Sequence, residues 1–115
     1  MPSIHLREEL DRLHAEVCGA LSDASRILIL YTLAEKPQSV SELMQNVELP
    51  QPSVSRHLKV LRERNMVHSH REGQNVIYEL SDRRVIEALD ILRQVMADSF
   101  QSQVDLIRSA QEQTA

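Results

Sequence analysis

The chain has very little of what would make a disulfide scaffold, a flexible linker or a membrane anchor. It holds one cysteine, Cys18, two glycines and four prolines in 115 residues. A lone cysteine excludes an internal disulfide and any cluster of thiolate ligands within one chain. So few glycines and prolines leave little room for mobile linkers. No apolar run approaches the roughly 20 residues needed to span a bilayer. The N-terminus turns acidic by Glu8 and lacks the apolar core of a secretory signal, so the cytoplasm is the expected compartment. Hydrophobic residues make up 42% and charged residues 26%, the composition of a soluble globular chain with one modest core. No repeat and no low-complexity segment is present beyond a polar tail, Ser109 to Ala115.

The net charge of −4 is unevenly spread. Residues 51–72 hold five Arg/Lys and two Glu, a net of +3, which leaves −7 on the remainder. Attraction to phosphate follows the local patch rather than the total. Taken alone, this patch fits a solvated helix face equally well.

The basic segment has a recognisable periodicity. In Gln51 to Arg64, Val54, Leu58 and Leu61 fall at i, i+4 and i+7, one side of a helix. Arg56, Lys59 and Glu63 point the other way, with Ser53 and Ser55 on the flanks. Pro52 suits a first helical turn, where its missing N–H costs nothing. A short apolar helix, Val40 to Val47, precedes it through Glu48-Leu49-Pro50. Two helices so joined make a helix-turn-helix, the second shaped to enter a DNA major groove.

The surrounding segments complete a mainly α fold with one β-hairpin. Ile4, Leu6, Leu10, Leu13 and Val17 predict an amphipathic helix over residues 4–18. Ser22 is expected to cap a second helix, with Asp23 in its first turn, running through Ile27, Leu28, Leu30, Tyr31 and Leu33 to Lys36-Pro37. Ser39 or Ser41 caps the third, and Glu42 stands at capping-box spacing from Ser39. After residue 64 the period changes to two: Val67 to Glu72 and Asn75 to Leu80 flank Gly73-Gln74, the signature of a hairpin with a II′ turn. This is the wing of a winged helix-turn-helix. Ser81-Asp82 opens a last helix to about residue 110, with Val85, Leu89, Leu92, Val95, Met96, Phe100, Val104 and Ile107 on its apolar stripe. The whole, residues 1–115, is expected to be one winged helix-turn-helix domain. Its terminal helices, 1–20 and 82–110, carry more apolar surface than a single core needs, so they are expected to pair with a second copy. Two recognition helices about 34 Å apart then match successive major grooves.

Three stretches carry a family resemblance. They are Ala20-Leu-Ser-Asp-Ala-Ser-Arg-Ile-Leu-Ile-Leu30, Pro52-Ser-Val-Ser-Arg-His-Leu-Lys-Val-Leu-Arg62 and Arg71-Glu-Gly-Gln-Asn-Val-Ile-Tyr-Glu-Leu80. In this order they resemble the ArsR family of bacterial winged-helix repressors, over roughly residues 10–95. One departure is Asn65-Met66, where the family often has Gly-Leu; Asn tolerates the left-handed backbone such a turn needs. The resemblance implies a homodimer that binds an imperfect DNA palindrome and leaves it when an inducer arrives.

Many members of that family sense metals or sulfur species, and the corresponding positions here are altered. Where one group has thiolates at the start of the first helix of the helix-turn-helix, this chain has Ser39-Val40-Ser41, whose hydroxyls do not replace thiolates for soft metals. A second site type pairs the last helices through carboxylates and histidines. Asp82 is retained, but Arg84 and Val95 stand for the histidines and Asp98 for the final carboxylate, a poor zinc site. A cysteine pair used for persulfides is replaced by Tyr31 and Ala97. The expectation is therefore no metal and no cofactor. Cys18 reads as a small buried hydrophobe, with a one-thiol sensor or a bond to the partner's Cys18 as the sharper alternative. His68 and His70 share a face of the first wing strand; such a pair can hold a metal but supplies only two ligands, so solvent or phosphate is the expected neighbour. His5 and His14 are nine residues apart, too far for a side-by-side pair. His57 reads as structural, bonded to backbone between helices.

The residues expected to read base edges are Gln51, Ser53, Ser55 and Arg56, on the first turns of the recognition helix. Ser39 and Ser41 are candidates for phosphate near a helix N-terminus. Lys59, Arg62 and Arg71 are further phosphate candidates, and Arg71 and Gln74 lie where a wing tip meets the minor groove. For Arg62 and Arg64 the competing reading is a pairing with local glutamates. The function so read is a sequence-specific, DNA-binding, homodimeric repressor. Its inducer is left open between a small organic molecule, a redox signal through Cys18, a metal at a site unlike those above, such as one across the dimer, and none. The alternative is a winged-helix module that binds protein partners, since fold alone does not fix function. No nucleophile–base pair, phosphate loop or ligand cluster argues for an enzyme.

Overall fold

The structure is a computed structural model describing residues 4–114, with side chains described from His5 to Gln113. The stripe residue Ile4 thus has its side chain outside the described set. The described residues form two compact units, the first ending at Arg83 and the second beginning at Arg84.

In the first unit, α1 (Ile4–Leu13) runs into one π turn, His14–Cys18, where the expected continuous helix widens. The second helix, α2 (Ala24–Glu35), is capped by Asp23 rather than Ser22. The Ser25 N–H donates to Asp23 Oδ1 at 2.8 Å, whereas the Ser22 hydroxyl donates to the Gly19 carbonyl at 2.8 Å. The reason is geometric: Asp23 has the extended backbone of a cap, and its carboxylate reaches two residues on. Ile29, Leu30 and Leu33 are buried, while Leu28 is 47% exposed, so α2 is core on one side and open on another. Extended backbone at Lys36 ends it.

Gln38–Ser39 then forms β1, a strand absent from the sequence reading. It pairs antiparallel with the second wing strand, giving a three-stranded sheet of order β1-β3-β2. Gln38 is wholly buried. Its amide nitrogen donates to the carbonyls of Thr32 (2.8 Å) and Lys36 (3.1 Å), and its oxygen accepts from Asn46 (2.7 Å). A polar side chain with every group partnered can replace an apolar one in a core.

Ser39 caps α3 (Val40–Val47) with both halves of the capping box to Glu42. The helix-turn-helix bend is made by Glu48, whose φ of 55° lies in the left-handed region. Pro50 precedes α4 (Gln51–Glu63), with Pro52 in its first turn. Val54, Leu58 and Leu61 are buried as their spacing requires, joined by Leu43 and Val47 of α3. Asn65 at φ 60° turns the chain into the wing. Strands β2 (Val67–Glu72) and β3 (Asn75–Leu80) pair in register around Gly73-Gln74. Gly73 has φ 64° and Gln74 does not have positive φ, the pattern of a II′ rather than a I′ turn.

The second unit is α5 (Arg84–Thr114), a 31-residue helix. On it Leu92, Val95, Met96, Phe100 and Ile107 are exposed, Phe100 by 66%.

Candidate nucleic-acid interface

The elements of the first unit set out the expected residues in three groups. On α4, Gln51, Arg56, Lys59 and Arg62 are exposed, and Ser53 and Ser55 are half-buried at the edge of the packed stripe. On the wing, Arg71 is exposed at the end of β2 and Gln74 at the turn. At the start of α3, Ser41 is exposed and Ser39 half-buried.

Their chemistry differs. The side chains of Arg56, Lys59, Arg62 and Arg71 take part in no hydrogen bond or ion pair among the described residues. Four exposed cations without internal partners keep their full charge for an outside anion. Arg62 is thus not paired with a local glutamate. Arg64 is not either: its guanidinium donates to the Ala15 carbonyl. The Gln51 amide nitrogen donates to the Ser55 hydroxyl at 2.7 Å, an i, i+4 link that fixes the Gln51 side chain along the helix. Ser39 is committed inside the chain. Its oxygen accepts from the Glu42 N–H (3.3 Å) and its hydroxyl lies 3.2 Å from the same carboxylate. The first turn of α4 carries no acidic residue and no side-chain cap, so its positive end is left uncompensated.

The histidines and the cysteine depart in part from expectation. His57 is buried at 7% exposure and meets a side chain, not backbone: Arg26 Nη1 is 3.4 Å from its Nδ1. A guanidinium only donates, so that nitrogen accepts. His68 and His70 are exposed on the outer face of β2 and face Glu79 (2.5 Å) and Glu72 (3.9 Å). Cys18 is exposed, not buried, because the π turn sits at the end of a helix with no buried residue of its own. No group of three or more His, Cys, Asp and Glu suited to a metal ion occurs among the described residues.

The sequence reading missed Arg26 and Arg64, whose partners lie 31 and 49 residues away. Nothing local signals either contact, and Glu63 beside Arg64 points instead to a local pairing.

The model of the bacterial regulatory protein, arsR family, matches residues 23–69, from the cap of α2 to the first wing strand. Rv0081 of Mycobacterium tuberculosis, an uncharacterised HTH-type transcriptional regulator, is 34% identical over 101 residues, 87% of this chain and 89% of that protein. The chain belongs to the arsR family. Its likeness to the crystal structure of Rv0081 has a TM-score of 0.73, covering 83% of this chain and 96% of that one. Another relative is the HTH-type transcriptional repressor SmtB of M. tuberculosis, 39% identical over 79 residues, 69% of this chain and 58% of that protein. The chain spans 56–58% of the length of two of the curated relatives it matches, the regulator KmtR and the repressor SmtB of M. tuberculosis. The homodimeric winged helix-turn-helix DNA-binding domain of Mb0332 from Mycobacterium bovis, a possible ArsR-family regulator, has a TM-score of 0.69 at 28% identity, covering 86% and 90%. The winged helix-turn-helix expected from the sequence is thus the fold of this arsR-family chain.

Proposed function

We propose that this arsR-family chain is a homodimeric, sequence-specific repressor that binds double-stranded DNA through α4 and the wing. The observation that carries this reading is the set of four exposed, internally unpartnered cations on α4 and β2, in a helix-turn-helix whose opposite side is fully packed. Gln51, Ser53, Ser55 and Arg56 take the base edges, Gln suiting adenine and Arg guanine. Ser41, Lys59, Arg62 and Arg71 take phosphates, with Arg71 and Gln74 at the minor groove. Ser39 is left to its capping box. Pairing of two copies is supported by the exposed apolar residues of α1 and α5 and by the homodimeric Mb0332 domain. Repression matches the naming of SmtB. The compartment is the cytoplasm, where promoter DNA lies; no helix among the described residues is long and apolar enough to cross a membrane. The full chain acts as one DNA-binding domain with its terminal helices as dimerisation elements. The reading involves no catalytic step and no metal, and a small-molecule or redox inducer would release the DNA.

The test is a mobility shift on promoter DNA upstream of the chain's own gene, with two substitutions. Arg56→Ala is expected to cost about 1–3 kcal/mol and to relax base preference at one position of each half-site. Lys59→Ala is expected to weaken binding to every sequence and to flatten the salt dependence by about one unit of slope. Unchanged affinity in both would remove α4 as the reading surface.

A further inference from the structure

The recognition helix is held from behind at two points. His57 lies inside α4 and Arg64 at its C-cap, seven residues apart and therefore on nearly the same side of the helix. Both lead to the end of the first helical segment. Arg64 donates to the Ala15 carbonyl in the π turn, and its Nη1 is 3.6 Å from where a Cβ on Gly19 would stand. Behind His57 is Arg26, whose side chain is 14% exposed. Its Nε donates to the Ala20 carbonyl at 2.8 Å, and its Nη2 donates to the Gly19 carbonyl and the Ser22 hydroxyl, each at 3.3 Å. Asp23 stands 4.0 Å from it. Two guanidiniums thus converge on the carbonyl end of a helix, which is electronegative and short of donors. One belongs to α4 and the other bonds to it.

We propose that Arg64 and the Arg26–His57 pair form a clamp through which the N-terminal helix sets the pose of the recognition helix. Arg26 and Arg64 are then positioning residues for base reading, although neither is spent on DNA. The proposal rests on the DNA-binding reading above. It extends that reading by making operator affinity depend on whatever moves residues 15–20, dimer formation included. A rigid tether matters because base readers tolerate only small displacements, whereas phosphate attraction survives them.

The experiment compares a duplex selected from random sequence by the wild-type full-length chain with a scrambled duplex of the same composition. Binding is followed by fluorescence anisotropy across a salt series, with thermal melting of each variant. Four variants are used: Arg64→Ala, Arg64→Lys, His57→Leu, and Gly19→Leu, which crowds the Arg64 guanidinium without changing any charge. Arg64→Ala and Gly19→Leu are expected to lose about tenfold in affinity for the selected duplex, comparable to one mismatched base pair per site. Their affinity for the scrambled duplex and their salt slope stay at the wild-type level, and Arg64→Lys recovers most of the loss. His57→Leu, which removes the acceptor for Arg26, behaves as Arg64→Ala does. Undiminished affinity of Gly19→Leu and Arg64→Ala for the selected duplex overturns the clamp. An equal loss on both duplexes with a shallower salt slope also overturns it, by making Arg64 a plain phosphate contact. If Arg64→Ala melts below the assay temperature, Gly19→Leu decides alone. A wild-type chain that selects no sequence removes the DNA reading itself, and the clamp with it.

Discussion

Asp23 closes the N-terminus of α2 with its carboxylate. The Ser25 N–H bonded to it, joined by the backbone N–H and the guanidinium of Arg26, holds its carboxyl below the ordinary 3.8 despite partial burial. A carboxyl whose folded value is depressed adds stability that is complete above its ordinary value. That stability fades as the pH falls below it through the lowered one. The chain should therefore lose stability on the acid side of about pH 4, the ordinary carboxylate range. Asp23→Asn should keep the cap but flatten that acid limb in melting curves taken from pH 5 to 2, and Asp23→Ala should lower the melting point at every pH. Gln38 makes a comparable case inside the core. Gln38→Leu leaves the Thr32 and Lys36 carbonyls and the Asn46 amide without their partner. The expected cost is about 1–3 kcal/mol by urea unfolding. Neither role was legible in sequence. Ser22 and Asp23 are equally good caps on paper, and a glutamine before a serine looks like any solvated loop residue. Only the folded backbone decides which oxygen meets which N–H.

At the scale of the element, Glu48 makes the bend of the helix-turn-helix with a left-handed backbone that costs a non-glycine residue about 1–2 kcal/mol. Glu48→Gly should remove that cost and add back a smaller entropic one. A net gain of about 0.5–1 kcal/mol in unfolding free energy is expected. Asn65, at the same backbone angle, pays less because asparagine tolerates it, so Asn65→Gly should change stability less than Glu48→Gly does. The helices were readable because each repeats its apolar residues for at least two turns, and the hairpin because Val76, Tyr78 and Leu80 alternate after Gly73-Gln74. Val54, Leu58 and Leu61 point inward, and Gly73 makes the turn expected of it. Strand β1 was not readable, since two residues carry no period and their pairing with Tyr78 and Ile77 is fixed only in the folded unit. The π turn was equally hidden: it differs from an α-helix by one step of hydrogen-bond register, with the Gly19 N–H meeting the His14 carbonyl. The arginine clamp depends on contacts across 31 to 49 residues, beyond any local pattern.

For the molecule as a whole, the stripe of Leu92, Val95, Met96, Phe100 and Ile107 lies exposed along α5, and Leu6, Leu10 and Leu13 along α1. The sequence announced this surplus through spacing alone, because a stripe too long for its own core is visible without any fold. Met96→Glu with Phe100→Glu should leave the circular dichroism of the helix-turn-helix unit in place. Sedimentation equilibrium should then show a single protomer, and operator binding should fall to the level of unselected DNA. Purified protein incubated with zinc and dialysed should retain less than one metal per chain, measured by atomic absorption; tight stoichiometric retention would contradict the reading of Ser39, Ser41, Arg84 and Val95 as lost ligand positions. In the proposed dimer, a helix that leaves its apolar side open until a twin arrives also makes the protein a counter of its own abundance. When chains are scarce, occupancy of a palindrome grows with the square of their number, so halving synthesis removes about three quarters of the bound complexes. Promoters under such control switch over a narrower range of protein dose than a solitary binder would allow.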